Sequence, residues 1–262
     1  MELSVLFDPA EKPLDTIDPT GGFCGIFRTI GCVGDSLSSG EFQIPNEEGG
    51  WHYCDLYEYS WGQFMARAIG SKVYNFSRGG MRADRYINSY AEENDFWNPE
   101  KACQAYILAL GVNELWNDSQ DVGTMNDVKE RWQDNNTKTF AGNYAAIIQR
   151  LKEIQPDAKF FLMTMFRDHN TDPTRLAVGD AHAALLYEMA AHFDNTYVLD
   201  MRQYAPVYDE AFREKFFLYG HMNPMGYQFT AQLVMSYIDY IIRHNMADFA
   251  HVGLIGNKLP HL

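Results

Sequence analysis

Apolar runs of strand length alternate with helix-length patterns through most of this chain, and that alternation limits the possible folds more than any other feature. Residues 28–33, 72–76, 105–110, 159–165 and 196–200 read as strands. Residues 56–69, 82–92, 143–154, 179–193 and 224–244 read as helices. Strands separated by helices require right-handed crossovers and a parallel sheet covered on both faces. The expectation is an α/β, doubly wound, flavodoxin-like fold of three layers, with about five parallel strands at its centre. The last helix is the clearest: Asn223 can cap it, Pro224 suits its first position, and Leu233, Val234, Tyr237, Ile238, Ile241 and Ile242 fall on one face. Residues 1–25 read as a short hairpin or an arm. Residues 40–55 and 114–139 read as long connections leaving strand carboxyl ends, where ligands bind in open parallel sheets.

At 262 residues, 46% of them hydrophobic, the chain can bury one sizeable core and reads as a single domain over 1–262. Its 21 basic and 35 acidic side chains give a net charge of −14, which repels phosphate backbones and anionic lipid surfaces. Nucleic acid is therefore not expected as a partner. No apolar run is long enough for a membrane span, and the amino terminus lacks the basic start and apolar stretch of a signal peptide, so a cytoplasmic protein is expected. Cys24, Cys32, Cys54 and Cys103 form no CxxC pair, and their spacing suits neither a zinc site nor a disulfide framework.

Four elements carry potential chemistry. The first strand runs into Gly34-Asp35-Ser36-Leu37-Ser38, which holds a serine rigidly at the mouth of the sheet; such a turn serves equally as a helix cap. Asn75-Phe76-Ser77-Arg78-Gly79-Gly80 follows the second strand, where a glycine lets backbone N–H approach a ligand. Gly111-Val112-Asn113-Glu114 follows the third and can aim an amide into the same crevice. Gly220-His221-Met222-Asn223 precedes the last helix, where the helix dipole disfavours a positive imidazolium and so favours the neutral form that a general base needs.

Taken together and in this order, the four elements resemble the conserved blocks of the SGNH/GDSL hydrolase family. Gly34-Asp35-Ser36-Leu37-Ser38 resembles the first block and Gly80 the second. Gly111-Val112-Asn113 matches the third, with Glu114 where Asp is usual, and His221, Asn223, Gly226 and Tyr227 match the last. The resemblance implies a serine ester hydrolase working through an acyl-enzyme. Ser36 would be the nucleophile and His221 its general base; the Ser36 and Gly80 N–H groups and the Asn113 side chain would form the oxyanion hole. It implies no metal and no cofactor, and a small acyl ester as substrate. Deacetylation of a carbohydrate is the first substrate expected; a lysophospholipid or a thioester calls for the same chemistry.

One position departs from the family. The aspartate usual three residues before the histidine is here Leu218, which cannot accept an imidazole N–H. The expectation is a Ser–His dyad whose ring is oriented by a backbone carbonyl or water. The alternatives are a carboxylate from elsewhere, with Glu41, Asp209, Glu210 and Glu214 as unranked candidates, or an impaired enzyme that only binds. Residues 167–172 have metal-like side chains without ligand spacing and read as a polar loop. Trp51-His52-Tyr53 reads as either a sugar-stacking platform or loop packing. Arg78 and Arg82 read as solvated or as partners for an acidic substrate group.

Overall fold

The protein is described by a computed structural model covering residues 6–170 and 172–257. Its strands are β1 (Thr29–Gly34), β2 (Glu41–Pro45), β3 (Trp51–Asp55), β4 (Lys72–Asn75), β5 (Ala105–Ala109), β6 (Lys159–Met163), β7 (Thr196–Leu199), β8 (Phe217–Leu218) and β9 (His221–Met222). Five of them form one parallel sheet in the order β4-β1-β5-β6-β7. This is the expected doubly wound arrangement. The first parallel strand has the second on one side and the third on the other, so the winding reverses between β1 and β5. A crevice opens at such a switch point, beyond the strand carboxyl ends.

Strand periodicity assigns the two core layers. Ile30, Cys32, Ile107 and Phe161 face a cluster with Trp61 and Met65 of helix Trp61–Ile69 and with the apolar face of helix Pro224–His244. Val33, Tyr106, Leu108, Phe160 and Leu162 face the other, against helices Phe140–Ile154 and Pro173–His192. Strands buried on both faces read as continuous apolar runs, as Phe160-Phe161-Leu162 does.

The last helix matches its expected bounds, with Asn223 Oδ1 accepting from Gly226 N at 2.9 Å. The helices expected at 143–154 and 179–193 begin earlier, at Phe140 and Pro173. The Thr139 hydroxyl accepts from Gly142 N and the Asp172 carboxylate from Arg175 N, so each cap fixes the true start. The helix expected at 56–69 begins at Trp61, after a 3₁₀ turn and the cap Ser60. That expected at 82–92 contains a π-type turn over Tyr86–Tyr90.

Two expectations about connections are corrected. Residues 40–55 are no open loop: β2 and β3 pair antiparallel, Glu41 opposite Asp55 and Gln43 opposite Tyr53. Asn46 closes the turn, its Oδ1 accepting from Gly50 N at 2.6 Å. Residues 114–139 are built from short helical turns, including Met125–Asp127 with its capping box at Thr124. Residues 1–5 of the expected arm lie outside the described residues. The remainder holds no strand among those described and is an arm on the last helix: Asp18 N donates to Ser236 Oγ at 2.9 Å, and Phe23 N to Asp239 Oδ1 at 2.7 Å. No helix among the described residues is long and apolar enough to cross a membrane.

Candidate active site

Three of the four expected site residues meet at the switch point, and the fourth, Gly80, is not among those lining the cavity they share. Ser36, Asn113 and His221 line one cavity of about 310 Å³, with Met163, Met165 and Trp116 on its apolar wall. Ser36 opens a one-turn helix, Ser36–Ser39, directly beyond β1. Asp35 caps it, its carboxylate accepting from Leu37 N at 3.1 Å, so the serine is fixed by the strand on one side and the cap on the other. Burial pushes the Asp35 carboxyl up to about 6; the Leu37 N–H and His221 act against this, and Glu41 adds to it.

The second block forms a tight turn. Met81 N donates to Arg78 O at 3.2 Å, and Gly80 occupies its third position with φ 66°, a conformation that side-chain-bearing residues rarely adopt. Asn113 reaches this turn from the end of β5: its Nδ2 donates to Met81 O at 3.1 Å while its Oδ1 accepts from Asn117 Nδ2 at 3.2 Å. Those two bonds fix the amide orientation. Beneath it Glu114 is fully buried, and its Oε1 accepts from Ala83 N at 2.9 Å. Burial raises this carboxyl from 4.5 to about 7, against the pull of the Ala83 N–H.

His221 corrects the expectation of a backbone or water acceptor. A carboxylate is present: Glu41 Oε1 lies 3.0 Å from His221 Nε2, and both side chains are largely buried. Asp209 instead caps the helix Glu210–Phe216, and Glu210 and Glu214 are exposed. Gln43, two residues beyond Glu41 on β2, places its Oε1 3.4 Å from His221 Nδ1 and accepts from Gly220 N at 2.9 Å. The other Glu41 oxygen, Oε2, packs where a side chain at Gly79 would stand, so only glycine admits the carboxylate there. The buried block-five tyrosine, Tyr227, donates to Glu41 O at 2.6 Å and holds the strand in place.

Sequence reasoning left Glu41 unranked and missed Gln43. The alternation Glu41-Phe42-Gln43-Ile44, followed by the turn residues Asn46, Gly49 and Gly50, is the signal that could have identified a hairpin with two polar groups on one face.

The aromatic residues of the hairpin stand beside the histidine. The rings of Tyr53 and His221 are 5.9 Å apart, and those of Trp51 and Tyr219 are 5.0 Å apart. Trp51, Tyr53 and Tyr219 are each about half exposed. Tyr219 has φ 57°, uncommon for a bulky residue, in the two-residue turn between β8 and β9. Arg82 is engaged by Asp84 and Asp118, whereas Arg78 is exposed. In the loop 167–172, of which Thr171 lies outside the described residues, Asp168 pairs with Arg175 at 2.7 Å. No group of three metal-ligating side chains occurs among the described residues, and all four cysteines are free thiols.

Among solved structures, the chain is similar to a carbohydrate esterase family 2 enzyme with a carbohydrate-binding domain from Corynascus thermopiles (Myceliophthora fergusii). The identity is 14%, over 86% of this chain and 67% of that one, with a TM-score of 0.55. It is similar to a possible lipase from Chitinophaga pinensis at 15% identity, over 83% and 98% of the two chains, with a TM-score of 0.53. It is also similar to the psychrotrophic esterase EstA from a Pseudoalteromonas species at 13% identity, over 82% and 98%, with a TM-score of 0.51. At these identities the likeness speaks for the fold. No curated protein sequence matches. The family description "GDSL-like Lipase/Acylhydrolase" matches residues 32–229, from within β1 into the last helix, and the chain belongs to that family of ester hydrolases.

Proposed function

We propose that the protein cleaves O-acyl esters by a serine acyl-enzyme mechanism, with a carbohydrate as the alcohol portion of its substrate. The observation that carries the reading is the convergence of Ser36, Asn113 and His221 on one cavity at the switch point. In this reading His221 accepts the Ser36 proton as Oγ attacks the ester carbonyl. The carbonyl oxygen becomes an oxyanion facing the Ser36 and Gly80 N–H groups and the Asn113 amide. As the intermediate collapses, the bond to the leaving alcohol breaks and the proton passes from His221 to its oxygen. Water then repeats the sequence on the acyl-enzyme and releases the acid. No step requires a metal or a cofactor.

The alcohol must lie on the histidine side, since His221 protonates it. That side carries the exposed rings of Trp51, Tyr53 and Tyr219. Aromatic faces suit the C–H faces of a sugar ring, and the charge of −14 disfavours an anionic partner. The acyl portion then points to the wall of Met163, Met165 and Trp116.

A fluorophosphonate probe tests the nucleophile: covalent labelling is expected at Ser36 and lost in Ser36→Ala. A comparison of acetylated sugars with acetyl, butyryl and octanoyl nitrophenyl esters tests the substrate. Turnover of acyl nitrophenyl esters without turnover of any acylated sugar would remove the carbohydrate portion of the proposal and leave the serine mechanism standing.

A further inference from the structure

We infer that the β2–β3 hairpin supplies the missing acid of this active site: Glu41 orients His221 and balances its charge during turnover, in place of the aspartate that Leu218 replaces. The inference rests on the reading of Ser36 as nucleophile. Leu218 pairs with His221 across the β8–β9 hairpin, but its side chain is apolar and partly exposed. Glu41 reaches the ring from a different element, and three contacts keep it there. Tyr227 grips its carbonyl, Gly79 leaves room for its carboxylate, and pairing with Asp55 fixes its strand register. A carboxylate oxygen 3.0 Å from a ring nitrogen selects the tautomer that carries the proton on that nitrogen.

The contact also assigns the two ring nitrogens. Nε2–H donates to Glu41, so the lone pair of the neutral ring lies on Nδ1. Gln43 Oε1 is 3.4 Å from Nδ1, beyond ordinary hydrogen-bond length, and already accepts from Gly220 N at 2.9 Å. Gln43 therefore acts as a positioning residue on the backbone beside His221. The Ser36 O–H bond breaks, its proton moves to Nδ1, and Oγ bonds to the acyl carbon. The imidazolium so formed keeps Nε2–H on the Glu41 carboxylate, and Nδ1 later returns its proton to the leaving alcohol. Glu41 exchanges no proton: it is a positioning residue that acts through His221.

The test is Glu41→Gln beside Glu41→Asp, with Ser36→Ala as reference. Glu41→Gln should lower kcat by on the order of 100- to 10,000-fold while KM stays within about threefold, because the lost charge balance matters mainly in the transition state. Glu41→Asp keeps the charge and should recover part of the rate. Fluorophosphonate labelling of Ser36 should slow in step with kcat. Nitrogen-15 NMR of the wild type should find the neutral His221 protonated at Nε2. Labelling of Glu41→Gln at the wild-type rate, or a neutral ring protonated at Nδ1, overturns the assignment of Glu41. A wild type that does not label at Ser36 overturns the nucleophile instead, so the two failures are distinguishable. Circular dichroism checks folding. Should Glu41→Gln not fold, Glu41→Asp carries the test, with a loss of about tenfold expected and an unchanged rate overturning the role.

Discussion

Asn113 Nδ2 donates to the carbonyl of Met81 at 3.1 Å, tying the loop after β5 to the turn that carries Gly80. The segments that carry two of the three proposed oxyanion donors are thereby tied together. The remaining N–H of the Asn113 amide is then available to the cavity that the residue lines.

Asn113→Ala should lower kcat by on the order of 100- to 1000-fold, with little change in KM, since the charge it meets develops in the transition state. Steady-state kinetics on a nitrophenyl ester measure both constants. An effect confined to KM would move Asn113 from oxyanion stabilisation to ground-state binding.

The aromatic rim separates the two parts of the substrate. Trp51→Ala and Tyr219→Ala remove rings that pack on each other, Tyr219 two residues before His221, and neither residue lines the cavity. Each should raise KM for an acetylated sugar by about tenfold, a loss of about 1.4 kcal/mol, and leave nitrophenyl acetate hydrolysis within about twofold. Equal losses on both substrates would make these rings structural supports of the hairpin.

Buried carboxyls make stability depend on pH. Burial raises Glu114 from 4.5 to about 7 and Asp35 from 3.8 to about 6. A carboxyl with a raised folded-state pKa favours the folded state fully below its unfolded value, and that contribution is lost as pH rises through the folded value. Stability should therefore fall between about pH 4 and pH 7. Glu114→Gln keeps an acceptor for Ala83 N and removes the charge. It should match the wild type near pH 4 and exceed it near pH 8 by roughly 3 kcal/mol. Urea unfolding at the two pH values reads the difference, and parallel curves for the two proteins would contradict it.

The glycine at position 79 gives a structural check on the hairpin. Gly79→Ala places a methyl group where Glu41 Oε2 packs, so the carboxylate must move off His221. Turnover should fall by at least about tenfold while the melting temperature changes little, because the position is part of a surface turn. Retained turnover, with His221 still on Glu41 in a crystal structure of the variant, would show that the turn yields instead.

The fold class, the order of the parallel strands and their helices, and the four blocks at strand ends were legible in the sequence. Each is encoded locally: strands such as Phe160-Phe161-Leu162 declare themselves by continuous burial, and Asn223-Pro224 marks the start of the last helix. Helix starts at Phe140 and Pro173 were less legible, because the caps at Thr139 and Asp172 that set them lie ahead of the apolar pattern by which the helices were read. The acid partner of His221 was not legible. Glu41 and His221 are far apart in sequence, and neither periodicity nor spacing says which carboxylate a folded hairpin will bring to a ring. That contact depends on the register of β2 on β3, on the Tyr227 hydroxyl at the Glu41 carbonyl, and on the space left by Gly79. Such contacts form only when distant segments pack together, so the tertiary structure alone decided which carboxylate meets the histidine.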